Sequence, residues 1–227
     1  MDEWRTFLYP LGFLSALAFG ARFIIQWLLS EKAHKSIVPR SFWQLSLLGN
    51  FLLLIHSFIQ VQYPICMIQV CNAVISWRNL DLMQKNPSPV SLSTVIWILT
   101  GSLLLISLAF ASQNWLLDYE GSWFRIPKSP WQKNSIDSVS FFWHLLGTLG
   151  TLLFSSRFWV QWWFAERAHA STLPLSFWWL SLSGALLSIA YFIRIGDSVN
   201  LIGPLVGLVP YIRNLMLLQK AEGVSRP

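Results

Sequence analysis

The sequence predicts an all-α integral membrane protein of seven transmembrane helices, set out as three, one and three. Three observations predict it. Of the 227 residues, 54% are hydrophobic and 11% charged, against roughly 25% charge in a soluble domain. The apolar residues gather in runs long enough to cross a bilayer core of about 30 Å at about 1.5 Å per residue. And the chain is written twice: residues 22–43, RFIIQWLLSEKAHKSIVPRSFW, return as residues 157–178, RFWVQWWFAERAHASTLPLSFW. One offset of 135 positions relates the copies, from Arg22/Arg157 and Gln26/Gln161 through Glu31/Glu166 and Trp43/Trp178 to Arg78/Arg213, Asn79/Asn214 and Lys85/Lys220. A long internal repeat defines a structural unit. The expected organisation is a three-helix unit over 1–85, a connector helix and aromatic loop over 86–137, and a second three-helix unit over 138–227.

The first apolar run covers residues 7–29. Asp2 and Glu3 precede Arg5, where a signal peptide would carry a basic segment. The matching helix of the second copy is internal, so the run is expected to remain as a span. A polar loop over 30–40 holds Pro39; spans over 41–60 and 65–80 follow, separated by a short turn. The linker at 81–91 contains Pro87 and Pro89, and the next run, 92–111, has no counterpart in either copy. Residues 112–137 scatter Trp115, Trp123, Phe124 and Trp131 among Pro and Lys, the pattern of a segment lying at the membrane interface. The second unit supplies spans over 139–164, 175–193 and 199–218. Gly203, Pro204, Gly207 and Pro210 interrupt the last, which an embedded helix tolerates when neighbours satisfy its freed backbone groups. Cys66 and Cys71 share one apolar run at a spacing that fits no zinc or redox motif, and read as packing residues.

Three spans and a connector make four crossings, which return the chain to its starting side. The two units are then parallel rather than inverted repeats. Lys32, Lys35, Arg40, Arg78, Lys85, Arg167, Arg213, Lys220 and Arg226 fall on one side; Arg5, Arg125, Lys128, Lys133 and Arg194 fall on the other. The positive-inside rule puts the richer side in the cytoplasm, with the N-terminus external and the C-terminus cytoplasmic. The net charge of +6 flanks apolar spans, so it reads as lipid attraction and topology control, with no nucleic acid partner.

The local motifs resemble a known family. Phe-x-x-Gln-Trp at 23–27, Ser30-Glu31-Lys32, Ser-x-x-Pro-x-Ser-Phe-Trp at 36–43 and the closing Arg78-Asn79-Leu80, echoed by Arg213-Asn214-Leu215, resemble the lipid-A biosynthesis N-terminal domain. The three-one-three plan of parallel repeats resembles the SWEET and PQ-loop transporter superfamily. The resemblance covers both repeats and leaves out the connector. It implies a bacterial inner-membrane protein of lipid A assembly. In some bacteria this domain precedes the glycosyltransferase domain of lipid-A-disaccharide synthase. The implied partners are therefore a membrane lipid or phosphoglycolipid and a glycosyltransferase domain or protein. Two departures stand out. Ile25 and Val160 precede Gln26 and Gln161, so the Pro-Gln pair that supplies a hinge in the transporters is absent. No glycosyltransferase domain is expected within these 227 residues.

Several polar residues inside the spans are candidates for function. Arg22 and Gln26 share a helix face, as do Phe23 and Trp27. Arg22 lies about two turns inside its span, where a charge costs roughly 2.5–3.5 kcal/mol on insertion scales. The pair Arg22 and Arg157 fits two readings: guanidiniums that line a cavity and grip a phosphate or carboxylate, or a structural pair with Glu31 and Glu166 reaching back as counter-ions. Arg78–Asn79 and Arg213–Asn214 close the third helix of each unit, as membrane anchors or as specific hydrogen-bonding groups. The counterparts of Gln69 and Asn72 in the other copy are Pro204 and Gly207, and those of Asn50 and His56 are Ala185 and Tyr191, so any pocket is asymmetric. Trp27, Trp43, Trp162 and Trp178 fit either sugar stacking or an interfacial belt. No hydrolase arrangement, P-loop, zinc spacing or glycosyltransferase signature is present. The candidate ligand-binding set is Arg22, Gln26, Trp27, Asn72, Arg78, Asn79, Arg157, Gln161, Trp162, Arg213 and Asn214, with no catalytic residue, metal or cofactor. The expected function is binding a phosphorylated glycolipid or polyprenyl-phosphate headgroup, or anchoring the synthase; a SWEET-like transporter or flippase of sugar or glycolipid is the alternative.

Overall fold

Equivalent residues set equivalent helix boundaries in the two copies. The computed structural model describes residues 3–84, 90–116, 123–131 and 139–224. Lys85, Pro87, Pro89, Lys133, Arg226, the side chain of Lys220 and the unit boundaries at 85/86 and 137/138 lie outside the described residues. A short helix α1 (Glu3–Leu8) and a 3₁₀ turn at Tyr9–Gly12, opened by Pro10, lead into α2 (Phe13–Ala33). Then come α3 (Arg40–Ile59), α4 (Tyr63–Leu82), α5 (Leu92–Leu116), α6 (Phe141–Ala168), α7 (Leu175–Ile195) and α8 (Ser198–Val224). His34 ends α2 and His169 ends α6 in the left-handed region, at φ 51° and 47°, the usual way to stop a helix. Pro39 and Pro174, both extended, start α3 and α7.

Four helices run well past the sequence expectation: α5 reaches Leu116, which puts Trp115 on the helix rather than in the aromatic loop, α8 reaches Val224, and α2 and α6 extend for a shared reason. α2 and α6 run past 29 and 164 because their last turns carry Glu31 and Glu166, each tied to a tryptophan four residues earlier. Trp27 Nε1 donates to Glu31 Oε1 at 3.1 Å and Trp162 Nε1 to Glu166 Oε1 at 2.7 Å. A polar helix end held by such a pair is still helix. α8 runs unbroken through Pro204 and Pro210.

The fold is all-helical, with no strand among the described residues. The aromatic loop folds back onto the α3–α4 turn: Gln62 and Phe124 form an antiparallel bridge, and Tyr63 N donates to Trp123 O at 2.9 Å. Among the described residues, five stretches are long and apolar enough to cross a membrane: Glu3–Ala33, Arg40–Ile59, Leu92–Gln113, Leu175–Ile195 and Ser198–Gln219. α4 and α6 have the length, with 20 and 28 residues, but polar groups interrupt their apolar character. Those groups turn inward: Gln69, Asn72, Arg78, Asn79 and Asp81 on α4, and Arg157 and Gln161 on α6, are buried.

Within each copy the helices pack in sequence, α2 on α3 on α4 and α6 on α7 on α8. Glycine lets them close. A Cβ on Gly49 would lie 2.5 Å from the Phe19 ring, and one on Gly184 would lie 2.5 Å from Phe154 N. Between copies α2 packs on α8 and α4 on α6, while α5 lies against α4. The centre is aromatic: Phe23, Phe42, Trp43, Phe158, Phe177, Trp178 and Tyr211 form one buried cluster with Ile75 and Leu215.

Candidate functional site

At one end of the bundle the copies exchange hydrogen bonds. Gln26 Nε2 donates to Asn214 Oδ1 and Asn214 Nδ2 to Gln26 Oε1, both at 3.0 Å. Gln161 and Asn79 do the same at 2.7 and 3.0 Å. Each amide pair joins the first helix of one copy to the third helix of the other. The remaining amide protons go to carbonyls at equivalent positions: Gln26 to Ile37 O, Gln161 to Thr172 O, Asn79 to Ile75 O and Asn214 to Pro210 O. All four side chains are fully buried, and no amide N–H is left for a ligand. Ser36 and Ser171 hydroxyls donate to Asn214 Oδ1 and Asn79 Oδ1.

An ion pair follows the same exchange. Arg78 Nε and Nη2 reach Glu166 Oε1 and Oε2 at 2.6 and 2.9 Å, and Nη1 also bonds Asp81 Oδ2 and Val90 O. Arg213 grips Glu31 in the same two-pronged way. The planar guanidinium suits this fork.

One turn further into the bundle lie the other two arginines of the candidate set. Arg22 and Arg157 are 3% and 2% exposed. Their partners are neutral: Arg22 Nη1 donates to Ser46 Oγ at 2.8 Å and Arg157 Nη1 to Tyr211 OH at 3.0 Å. Aromatic rings surround both, and two rings are shared. Phe23 lies 4.5 Å from the Arg22 guanidinium carbon and 5.9 Å from that of Arg157; Phe158 lies at 5.5 and 4.8 Å. Ring faces contribute attraction of about 0.5–2 kcal/mol each, but they do not neutralise charge. Nε of each arginine is buried without a partner. Among the described residues no carboxylate pairs with either one. Glu31 and Glu166 do not reach back, because Arg213 and Arg78 hold them.

Both guanidiniums line an open cavity between the copies. Asn50, Gln69 and Asn72 line it from α3 and α4, and Phe154, Ser155 and Ser188 from α6 and α7. Asn72 Oδ1 is buried and unpartnered. At the opposite end of the bundle from the amide pairs, Asp197 gathers a second inter-copy cluster. Tyr9 OH donates to Asp197 Oδ1 at 3.0 Å, Gln62 Nε2 to Oδ2 at 3.3 Å and Asn200 Nδ2 to Oδ2 at 2.8 Å. Asp197 also accepts from Asn200 N, capping α8.

The sequence-derived set therefore divides in two. Arg22, Arg157 and Asn72 stand together at the cavity. Gln26, Asn79, Gln161 and Asn214 form the amide pairs, Arg78 and Arg213 the ion pairs, and Trp27 and Trp162 support the glutamates. Sequence reasoning missed Ser46 and Tyr211 as arginine partners, and the whole Asp197 cluster. A signal for the latter existed, since Asp197 is the repeat equivalent of Gln62 and follows an apolar span directly. Among the described residues no cluster of three or more His, Cys, Asp or Glu is placed to hold a metal ion.

Comparison with known proteins agrees with the doubled architecture. The profile of the Lipid A Biosynthesis N-terminal domain family matches residues 11–81 and again 146–216. Lipid-A-disaccharide synthase of Chlamydia pneumoniae is 38% identical over 215 residues, covering 95% of this chain and 34% of that protein. The synthase of Chlamydia felis is 39% identical over 219 residues (94% and 33%), and that of Chlamydia trachomatis serovar D 34% over 226 residues (97% and 35%). The chain thus spans about a third of the length of the curated relatives it matches. No solved structure matches. With both repeats matched at the same offset, the chain belongs to the Lipid A Biosynthesis N-terminal domain family.

Proposed function

We propose that this chain is a bacterial inner-membrane protein of lipid A biosynthesis that holds the headgroup of a phosphorylated glycolipid or polyprenyl phosphate between Arg22 and Arg157. One observation carries the reading. Two buried guanidiniums share a cavity, lack a carboxylate partner among the described residues, and each keep a free Nε. Burying like charges is costly unless something anionic neutralises them. A phosphate does so with the geometry that Arg prefers.

In this reading α4 and α6 also cross the membrane, giving seven spans in two parallel units, 1–85 and 138–227, joined by the connector at 86–137, in the manner of SWEET proteins. The richer Lys/Arg side faces the cytoplasm. The relatives are named lipid-A-disaccharide synthases, and this chain matches a third of each, which supports a glycosyltransferase as partner and anchoring as part of the role. A second reading, transport of the same ligand, is favoured by the hydrogen bonds that tie the copies together at both ends of the cavity.

The anion site is tested with purified chain in detergent and dioleoyl phosphatidate, counting retained lipid by mass spectrometry. Arg22→Lys and Arg157→Lys keep the charge and lose the fork. Each is expected to lower retention about tenfold, the equivalent of roughly 1.4 kcal/mol, with little change in melting temperature. Unchanged retention in both variants would sink the reading. Orientation is tested separately with Lys35→Cys and Lys128→Cys, both at exposed positions. A membrane-impermeant maleimide should label Lys128→Cys in intact spheroplasts and Lys35→Cys only after lysis; the reverse pattern overturns the assigned topology.

A further inference from the structure

The two walls of the cavity differ in chemistry, and the difference originates in the repeat. Asn50, Gln69 and Asn72 line it from the first copy. The residues 135 positions later are Ala185, Pro204 and Gly207. The first copy's wall therefore offers three amides, where α8 offers Gly203 and Pro204 beside Asn200, whose Nδ2 Asp197 already holds. On the amide wall Asn50 is anchored, its Nδ2 donating to Ser76 Oγ at 3.3 Å. Asn72 is 6% exposed with its Oδ1 unpartnered, a costly arrangement away from water unless a donor arrives. On the opposite wall a Cβ at Gly203 would meet nothing within 4 Å, so α8 leaves open space beside Pro204. The arginine pair lies between these walls.

We infer that the cavity takes a lipid phosphate whose headgroup carries hydroxyls, in preference to a bare lipid phosphate. The phosphate sits at Arg22 and Arg157, the hydroxylated group lies against Asn50, Gln69 and Asn72, and the hydrocarbon follows α8 past Gly203 and Pro204. A hydroxyl both donates and accepts, so it can donate to the Asn72 Oδ1 that the protein itself leaves unsatisfied. A site built to hydrogen-bond a hydroxyl discriminates strongly against the analogue lacking it. The inference rests on the anion-binding reading above and chooses among its ligands.

The experiment compares dioleoyl phosphatidylinositol, a phosphate bearing a polyhydroxylated ring, with dioleoyl phosphatidate on the purified full chain, reading retained lipid by mass spectrometry. The wild type is expected to retain the inositol lipid about tenfold better, the equivalent of one to two hydrogen bonds. Asn72→Leu and Gln69→Leu should each bring that preference toward unity, lowering retention of the inositol lipid more than that of phosphatidate. Glucose 6-phosphate, which has the hydroxyls and phosphate but no chain, should not displace the inositol lipid. Absence of a preference in the wild type, or its survival in both wall variants, overturns the inference; the anion site still stands if Arg22→Lys releases both lipids. Displacement by glucose 6-phosphate overturns the chain-bearing ligand. Retention of both lipids by Arg22→Lys and by Arg157→Lys alike overturns this inference together with the reading beneath it.

Discussion

Arg78 with Glu166 and Arg213 with Glu31 are one motif used twice, and they come to rest in different surroundings. Side-chain exposure is 4% and 19% in the first pair but 40% and 31% in the second. The connector makes the difference. Only the first copy is followed by α5, and Val90, two residues before that helix, presents its carbonyl to Arg78 Nη1 at 2.8 Å. Only the first copy has an acid at the next turn, Asp81, where the second has Met216. The same two residues therefore form a largely buried network of one arginine and two acids on one side of the bundle and a more exposed clasp on the other. Sequence equivalence fixes which groups meet; what covers them fixes how much the meeting contributes.

This comparison predicts unequal losses. Arg78→Gln leaves Glu166 and Asp81 facing one another without a cation. Breaking a buried pair costs roughly 3–5 kcal/mol, and the partial exposure of Glu166 puts this case toward the lower end. Arg213→Gln breaks a pair that water already solvates, where the contribution is small. Melting temperatures of the two variants in detergent should fall steeply for Arg78→Gln and barely for Arg213→Gln. Equal falls would mean that the connector does not insulate its clasp.

Much of the fold was legible in the sequence because apolar run length and a constant offset are strong signals. Both report on composition along the chain. The partners of the polar residues were not legible, since a repeat establishes that Gln26 is equivalent to Gln161 but not that it meets Asn214. Gln26, Asn79, Gln161 and Asn214 read as ligand groups because an amide inside a span needs a partner. The partner proves to be another amide of the same protein. Arg22 and Arg157 read the same way for the same reason, and for them no acid of the protein pairs among the described residues. The seven-span expectation met a similar limit at α4 and α6. Their polar residues lower the apolar signal while packing inward, and facing direction does not show in composition.

The finest test of the comparison lies in the core, at Trp43 and Trp178. Both indoles are fully buried. Trp43 Nε1 donates to Ser171 Oγ at 2.6 Å, and that hydroxyl donates onward to Asn79 Oδ1. Ser36, the equivalent serine, donates to Asn214 Oδ1, yet Trp178 Nε1 is buried with no partner. Phenylalanine removes a similar volume from either site, so the packing loss should nearly cancel between the two variants. What remains is the hydrogen bond. Trp43→Phe gives up a bond contributing about 0.5–1.5 kcal/mol. Trp178→Phe gives up none and removes an unsatisfied donor. Trp43→Phe should therefore be the more destabilising by about 1–2 kcal/mol, read as a difference in melting temperature. A Ser171→Ala background isolates the cause: there Trp43→Phe should cost no more than Trp178→Phe, because the acceptor is already gone. If the gap between the tryptophans persists in that background, the asymmetry comes from packing and the hydrogen-bond account of it fails.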